Sequence, residues 1–143
     1  MVLKKQILVY LLLLIATIAA RAQVVDSLIR VTASQTLIEE AKFPGAVVFT
    51  KSATGQQVYI EHRGIKMWCD NAIYFRKTNF IKAYGSVRMN QGDTIFLDSQ
   101  KAEYDGNNRL AYAAGDVLMR SPESTLATDK LFFNRATQQA YYR

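Results

Sequence analysis

The chain is poor in the residues that do covalent and metal chemistry: it has one cysteine and one histidine in 143 residues. Cys69 alone cannot close an internal disulfide, and a lone His62 leaves too few ligands for a zinc site. No Cys–His zinc spacing and no phosphate-binding glycine loop occurs, so no metal or nucleotide cofactor is expected. No nucleophile, base and orienting acid recur at a workable spacing, which argues against an enzyme. Charge is modest too. The formal net charge is +6, of which Lys4, Lys5 and Arg21 supply half, and the remaining +3 is scattered along the chain. That is too weak and too dispersed for a nucleic-acid partner. What the chain does have is apolar substance: 50% of its residues are hydrophobic. The fold has to stand on packing and strand pairing.

The first residues have their own logic. Lys4 and Lys5 precede an apolar run from Ile7 to Ala20, and Ala20-Arg21-Ala22 places small residues where a signal peptidase requires them. Residues 1–22 therefore read as a signal peptide and 23–143 as a single exported domain, directed in a Gram-negative cell to the periplasm or outer membrane. The alternative is a transmembrane anchor, but the run is near the short limit for spanning a bilayer. No second long apolar stretch follows.

The rest is organised around Val87–Val117, a unit with relatives on both sides. A shift of about thirty residues lays Val87 and Met89 on Val117 and Met119, Ala72 and Tyr74 on Ala102 and Tyr104, and Gly85 on Gly115. Downstream, Leu97 falls on Leu126 and Tyr104 on Phe133. Matches at two-residue spacing describe stacked strands whose side chains alternate between faces. The expected fold is all-β: an antiparallel β-roll, jellyroll-like or solenoid-like, of about three stacked hairpin repeats.

Within it, strands are expected at Ala46–Thr50, Val58–Ile60, Ile65–Cys69, Ala72–Phe75 and Phe80–Tyr84, with Gly85 closing a repeat. The central copy continues with Val87–Met89, Thr94–Leu97, Ala102–Tyr104 and Arg109–Ala114. Glu61-His62-Arg63-Gly64, Arg76–Asn79, Asn90–Asp93 and Asp105–Asn108 read as turns, because Asp, Asn and Gly tolerate positive φ. Residues 26–43 stay open between a helical face (Leu28, Val31, Leu37, Ile38, Ala41, with Thr36 and Glu39 as a capping box) and a first strand at Leu28–Ala33, which is favoured for its β-branched run. The last strand, Ala140-Tyr141-Tyr142, has no following turn, and an exposed edge recruits other strands.

The string Cys69-Asp70-Asn71-Ala72 with Tyr74, then Ala83-Tyr84-Gly85-Ser86-Val87, Gln91-Gly92-Asp93-Thr94, Tyr104-Asp105-Gly106, Gly115-Asp116-Val117 and Thr128-Asp129-Lys130-Leu131, closing on Ala140-Tyr141-Tyr142, resembles the OstA-like family. That family includes the organic-solvent-tolerance proteins and the periplasmic lipopolysaccharide-transport proteins related to them. The resemblance covers Val58 to Tyr142. It implies a twisted antiparallel β-roll whose apolar interior shelters the acyl chains of lipopolysaccharide, and whose terminal strands join like domains end to end.

On that reading the lipid-binding residues are Ile65, Met67, Tyr74, Val87, Met89, Ile95, Leu97, Tyr104, Val117, Met119, Leu126 and Phe133. The edge-pairing residues are Ala140, Tyr141 and Tyr142. Burying a chain of about a dozen carbons is worth on the order of 10 kcal/mol, at about 0.8 kcal/mol per CH₂, more than a flat patch supplies. The competing explanation for each inward residue is ordinary core filling. His62 reads as a solvated turn residue and Cys69 as a small buried hydrophobe. Asp70, Asp93, Asp98, Glu103 and Asp105 read as solvated acids rather than paired catalytic carboxylates. Arg63, Lys66, Arg88, Arg109 and Arg120 read as solvent-facing charges, with phosphate binding at the mouth of the slot as the alternative. The rival functions are an exported β-solenoid adapter that pairs edges without lipid and, more distantly, a carbohydrate-active β-helix.

Overall fold

The protein is described here by a computed structural model covering residues 28–142; the expected signal peptide lies outside the described residues. The strands are β1 (Arg30–Thr32), β2 (Gln35–Leu37), β3 (Ala46–Thr50), β4 (Val58–His62), β5 (Ile65–Cys69), β6 (Asn71–Phe75), β7 (Phe80–Gln91), β8 (Ile95–Asp105), β9 (Leu110–Arg120), β10 (Thr125–Asn134) and β11 (Gln139–Tyr142). A single 3₁₀ turn, Arg76–Thr78, joins β6 to β7. Every recorded strand pairing is antiparallel.

The sheet is folded over on itself, and β7 shows how. Its first half pairs with β6, from Phe80↔Phe75 to Tyr84↔Asn71, and its second half pairs with β5, from Arg88↔Trp68 to Gln91↔Ile65. The long strands β8, β9 and β10 follow β7 around the same corner, so each contributes to two walls. One wall holds β2, β3, β6, the near halves of the long strands, and β11. The other holds β1, β4, β5 and the far halves.

The corner is built by bulges, where the register slips between Tyr84 and Val87, between Asp98 and Lys101, and between Thr128 and Lys130. Gly85 and Ser86 have φ of 81° and 44°, and Gly115 and Asp116 repeat this with 81° and 47°. Two successive left-handed residues turn the strand sharply without ending it. The neighbouring chain comes close at both Gly positions: a Cβ on Gly85 would lie 2.9 Å from Asp70 Cβ, and one on Gly115 would lie 2.9 Å from Gln100 Cβ.

Gly85 therefore does not close a repeat, as the sequence led us to expect; it bends a continuous strand, and Gly115 does the same in β9. The thirty-residue shift holds, since it relates strands two apart. Phe49, Ala72, Ala83, Ala102, Ala113 and Leu131 form one cross-strand row, and Tyr74, Ile81, Tyr104, Ala111 and Phe133 form the next. From β6 to β9 the row beside the corner is all alanine (Ala72, Ala83, Ala102, Ala113), and from β6 to β8 the row towards the mouth holds the larger Tyr74, Ile81 and Tyr104. Side-chain volume thus follows the wedge shape that close packing requires.

In the N-terminal region, strands β1 and β2 replace the helical alternative. Val31 pairs with Ile60 and Thr36 with Phe49, so the β-branched residues win a ladder and the Thr36–Glu39 capping box is unused.

Candidate functional site

The space between the walls is the main candidate. On the far wall Ile60, Met67, Met89, Leu97, Met119 and Leu126 lie in one register row, facing the Tyr74–Phe133 row of the other wall. Of the residues expected to line a lipid slot, Ile65, Met67, Tyr74, Val87, Met89, Leu97, Tyr104 and Val117 are buried in one core cluster, and Met119, Leu126 and Phe133 pack against it half-buried. Ile95 joins Met89, Gln91, Leu97, Ala111, Met119 and Phe133 around a small gap.

Packing along this row is not uniform. At the β4–β5 end the walls meet tightly, with Val58, Met67 and Cys69 at 0% exposure. Towards β9 and β10 they part, and the gap there is about 20 Å³, room for a water molecule and far less than an acyl chain. Beyond that tight stretch, between the β1 segment and the β3–β6 side, lies a larger open pocket of about 440 Å³ lined by Ile29, Val31, Phe49, Tyr74 and Arg76. Tyr74 donates to Asn79 Oδ1 at 3.0 Å. Burial raises its phenol above the ordinary value, against the Arg76 charge.

Polar groups lace the mouth of the wedge opposite the corner. Asn79, itself buried and left-handed at φ 51°, receives Ile29 N–H on its side chain and Gly106 N–H on its carbonyl. Further along, His62 Nδ1 lies 2.8 Å from Tyr104 Oη. Arg135 reaches across from the β10–β11 turn, donating to Tyr104 Oη at 3.3 Å and to the Arg63 carbonyl at 2.6 Å.

His62 is thus not the solvated turn residue that its position beside Arg63-Gly64 implied. The turn needs only Arg63 and Gly64, both at positive φ, so Glu61 and His62 stay in the ladder and His62 pairs with Ile65. Its phase was available in the sequence, because Val58, Ile60 and His62 alternate onto one face. Arg135 and Asn79 were missed, and only the left-handed tendency of Asn marked the latter.

Cys69 is buried, and burial pushes its thiol up to about 12, with a backbone hydrogen bond at Tyr84 opposing and the Asp70 charge reinforcing. The acids disperse as expected. Asp98 pairs with Arg120 at 2.6 Å and Glu103 with Lys82 at 3.4 Å on outward-facing positions. Asp70 sits at the corner, and Asp105 caps its own turn through the N–H groups of Asn107 and Asn108. Burial alone would raise the Asp105 carboxyl, but those hydrogen bonds outweigh it and hold the group below its ordinary value. Among the cations, Arg88 stacks over Trp68 outside the far wall, and Lys66 and Arg120 are likewise exposed there. Arg63 and Arg109 occupy turns with φ of 46° and 57°. These five do not converge on one point.

β11 pairs with β10 and, among the described residues, with nothing on its other side. Its side chains are exposed, Tyr141 at 60% and Tyr142 at 63%. Tyr141 stands opposite Phe132, which stacks on Tyr112 at a centroid distance of 4.7 Å. Among the described residues, no helix is long and apolar enough to cross a membrane.

Folded antiparallel walls, an apolar interior and a free edge strand define an open β-jellyroll. A family model described as OstA-like protein matches residues 31–143, and the chain belongs to that family. Among solved structures it is similar to LptH, described as the LptA-homologous periplasmic component of the conserved lipopolysaccharide transport device from Pseudomonas aeruginosa. The TM-score is 0.67 at 12% identity, with 80% of each chain covered. At that identity the likeness is one of fold. No curated protein matches the chain in sequence.

Proposed function

We propose that residues 23–143 form a periplasmic domain that takes part in lipopolysaccharide delivery to the outer membrane. It shelters acyl chains between its two walls and pairs strand edges with like domains, a second copy of itself included. The observation that carries this reading is the parting of the walls towards β9 and β10, where Met119, Leu126 and Phe133 are apolar, inward-facing and only half-buried. Half-buried apolar side chains between two walls gain further burial when an apolar chain lies against them. Methionines at Met89 and Met119 adapt to an irregular guest. The family, and the fold shared with a periplasmic component of a lipopolysaccharide transport device, support the same reading.

On this reading the gap of about 20 Å³ marks where the walls move apart to take a chain. The tight packing nearer β4 and β5 favours a second reading, an exported adapter that pairs edges and holds no lipid. Purification from envelope extract followed by mass spectrometry separates the two. The carrier brings acylated lipid with it in near-stoichiometric amount. Protein that stays lipid-free with lipopolysaccharide in excess supports the adapter.

A further inference from the structure

Three side chains cross the mouth of the wedge beside the gap. His62 comes from the rim of the far wall, Tyr104 from the near wall, and Arg135 from the β10–β11 turn. Through Tyr104 and the Arg63 carbonyl, Arg135 ties the last turn of one wall to the β4–β5 turn of the other, residues 72 apart in sequence. The gap begins next to it. Phe133, two residues before Arg135, lines the gap, and so does Gln91, whose register partner Ile65 follows the same β4–β5 turn.

This crosspiece is incompletely satisfied. Among the described residues, Arg135 Nε and Gln91 Oε1 are buried with no hydrogen-bond partner. A buried N–H of a guanidinium left unpaired is costly, and the group gains by moving to a partner that engages its whole donor fork. No carboxylate pairs with Arg135 within the described residues, whereas Arg120, Lys82 and Lys51 each have one.

We propose that Arg135, with Tyr104 and His62, forms a latch released by the anionic group of an entering acyl amphiphile. The phosphate or carboxylate draws the Arg135 guanidinium off Tyr104 and the Arg63 carbonyl, and the walls part along Gln91, Ile95, Met119 and Phe133 as the chain slides in. Capture of the head and opening of the slot are then one event. The proposal rests on the carrier reading and assigns it an entry point and a recognition group that lie outside the apolar lining.

The test uses the mature protein, lipid A with its phosphates and the same lipid dephosphorylated, with uptake timed by displacement of an apolar naphthylamine dye. Wild type takes up the phosphorylated lipid faster. Tyr104→Phe removes the shared hydroxyl and keeps the ring. It accelerates uptake of both lipids about fivefold or more, the factor expected from losing one or two ordinary hydrogen bonds. Arg135→Gln removes the guanidinium and abolishes the preference for phosphate, and it keeps the test open if Tyr104→Phe does not fold. A wild type without preference, or folded variants with wild-type rates and preference, overturns the latch while leaving the carrier reading intact. Wild-type protein that takes up neither lipid overturns both.

Discussion

Gly85→Ala and Gly64→Ala form a matched pair that isolates the corner of the roll. Both glycines sit at nearly the same backbone angle, φ 81° and 83°. An alanine at either site therefore carries the same left-handed strain, about 1–2 kcal/mol. Their surroundings differ. Nothing lies within 4 Å of a Cβ at Gly64, whereas at Gly85 it would meet Asp70 Oδ2 at 2.8 Å and Asp70 Cβ at 2.9 Å. The Cβ contact is to the root of a short side chain, and the backbone N–H of Asp70 donates to the Tyr84 and Gly85 carbonyls at 3.1 and 3.0 Å, so the neighbour cannot swing away. Overpacking of this kind adds about 1–3 kcal/mol. Gly85→Ala is expected to cost about 2 kcal/mol more than Gly64→Ala, or roughly 8 °C in Tm at about 4 °C per kcal/mol. Urea unfolding reports it through Trp68, which is half-buried and lies 5.3 Å from the Tyr59 ring. Equal shifts in midpoint for the two variants would refute the argument that strands pass through Gly85 at close approach.

Three further predictions follow from side chains around that frame. The Cys69 thiol, buried and pushed up to about 12, resists maleimide at pH 8 in the native protein and reacts only at the rate of unfolding; prompt labelling contradicts the packed inner face. Asp105 is held below its ordinary value, so it stabilises the fold above the unfolded carboxylate range, about pH 4, and that contribution disappears as pH falls through the folded value. Asp105→Asn should lower stability by about 1 kcal/mol at pH 7 and flatten the loss below pH 5, as read from urea midpoints across pH. Replacing Tyr141 and Tyr142 together by Pro removes two successive N–H groups of β11, one facing β10 and one facing the free edge, from a strand whose side chains are exposed. Concentration-dependent oligomers should vanish in sedimentation while the monomer's strand signal stays; unchanged oligomers contradict edge pairing through β11.

The thirty-residue shift exposed the inward rows because a two-residue period and an up-down strand pair survive in the sequence: Val87 with Val117, Met89 with Met119, Tyr74 with Tyr104. The corner was not legible. Gly85-Ser86 and a hairpin turn such as Arg63-Gly64 share the same local signature, two successive positive φ values, and only the pairing of β7 with both β5 and β6 tells a bend from an end. The mouth of the wedge was hidden for a different reason. His62 was in phase with Val58 and Ile60 but next to a turn, and its partner Tyr104 is 42 residues away. Contacts at that separation leave no periodic trace. The inward apolar faces were therefore readable from the chain, while the polar groups that fasten one wall to the other were not.

Site-specific photo-crosslinking to lipopolysaccharide tests the slot most directly, because the strand period gives each inward position an outward neighbour as control. A benzophenone amino acid placed at Met119, Leu126 or Phe133 faces the space between the walls, and one at Leu118, Ala127 or Phe132 faces away. Crosslinks confined to Met119, Leu126 and Phe133 are the expected result. Crosslinks of equal yield at both sets, or at the outward set alone, would place the lipid outside the roll and contradict the account.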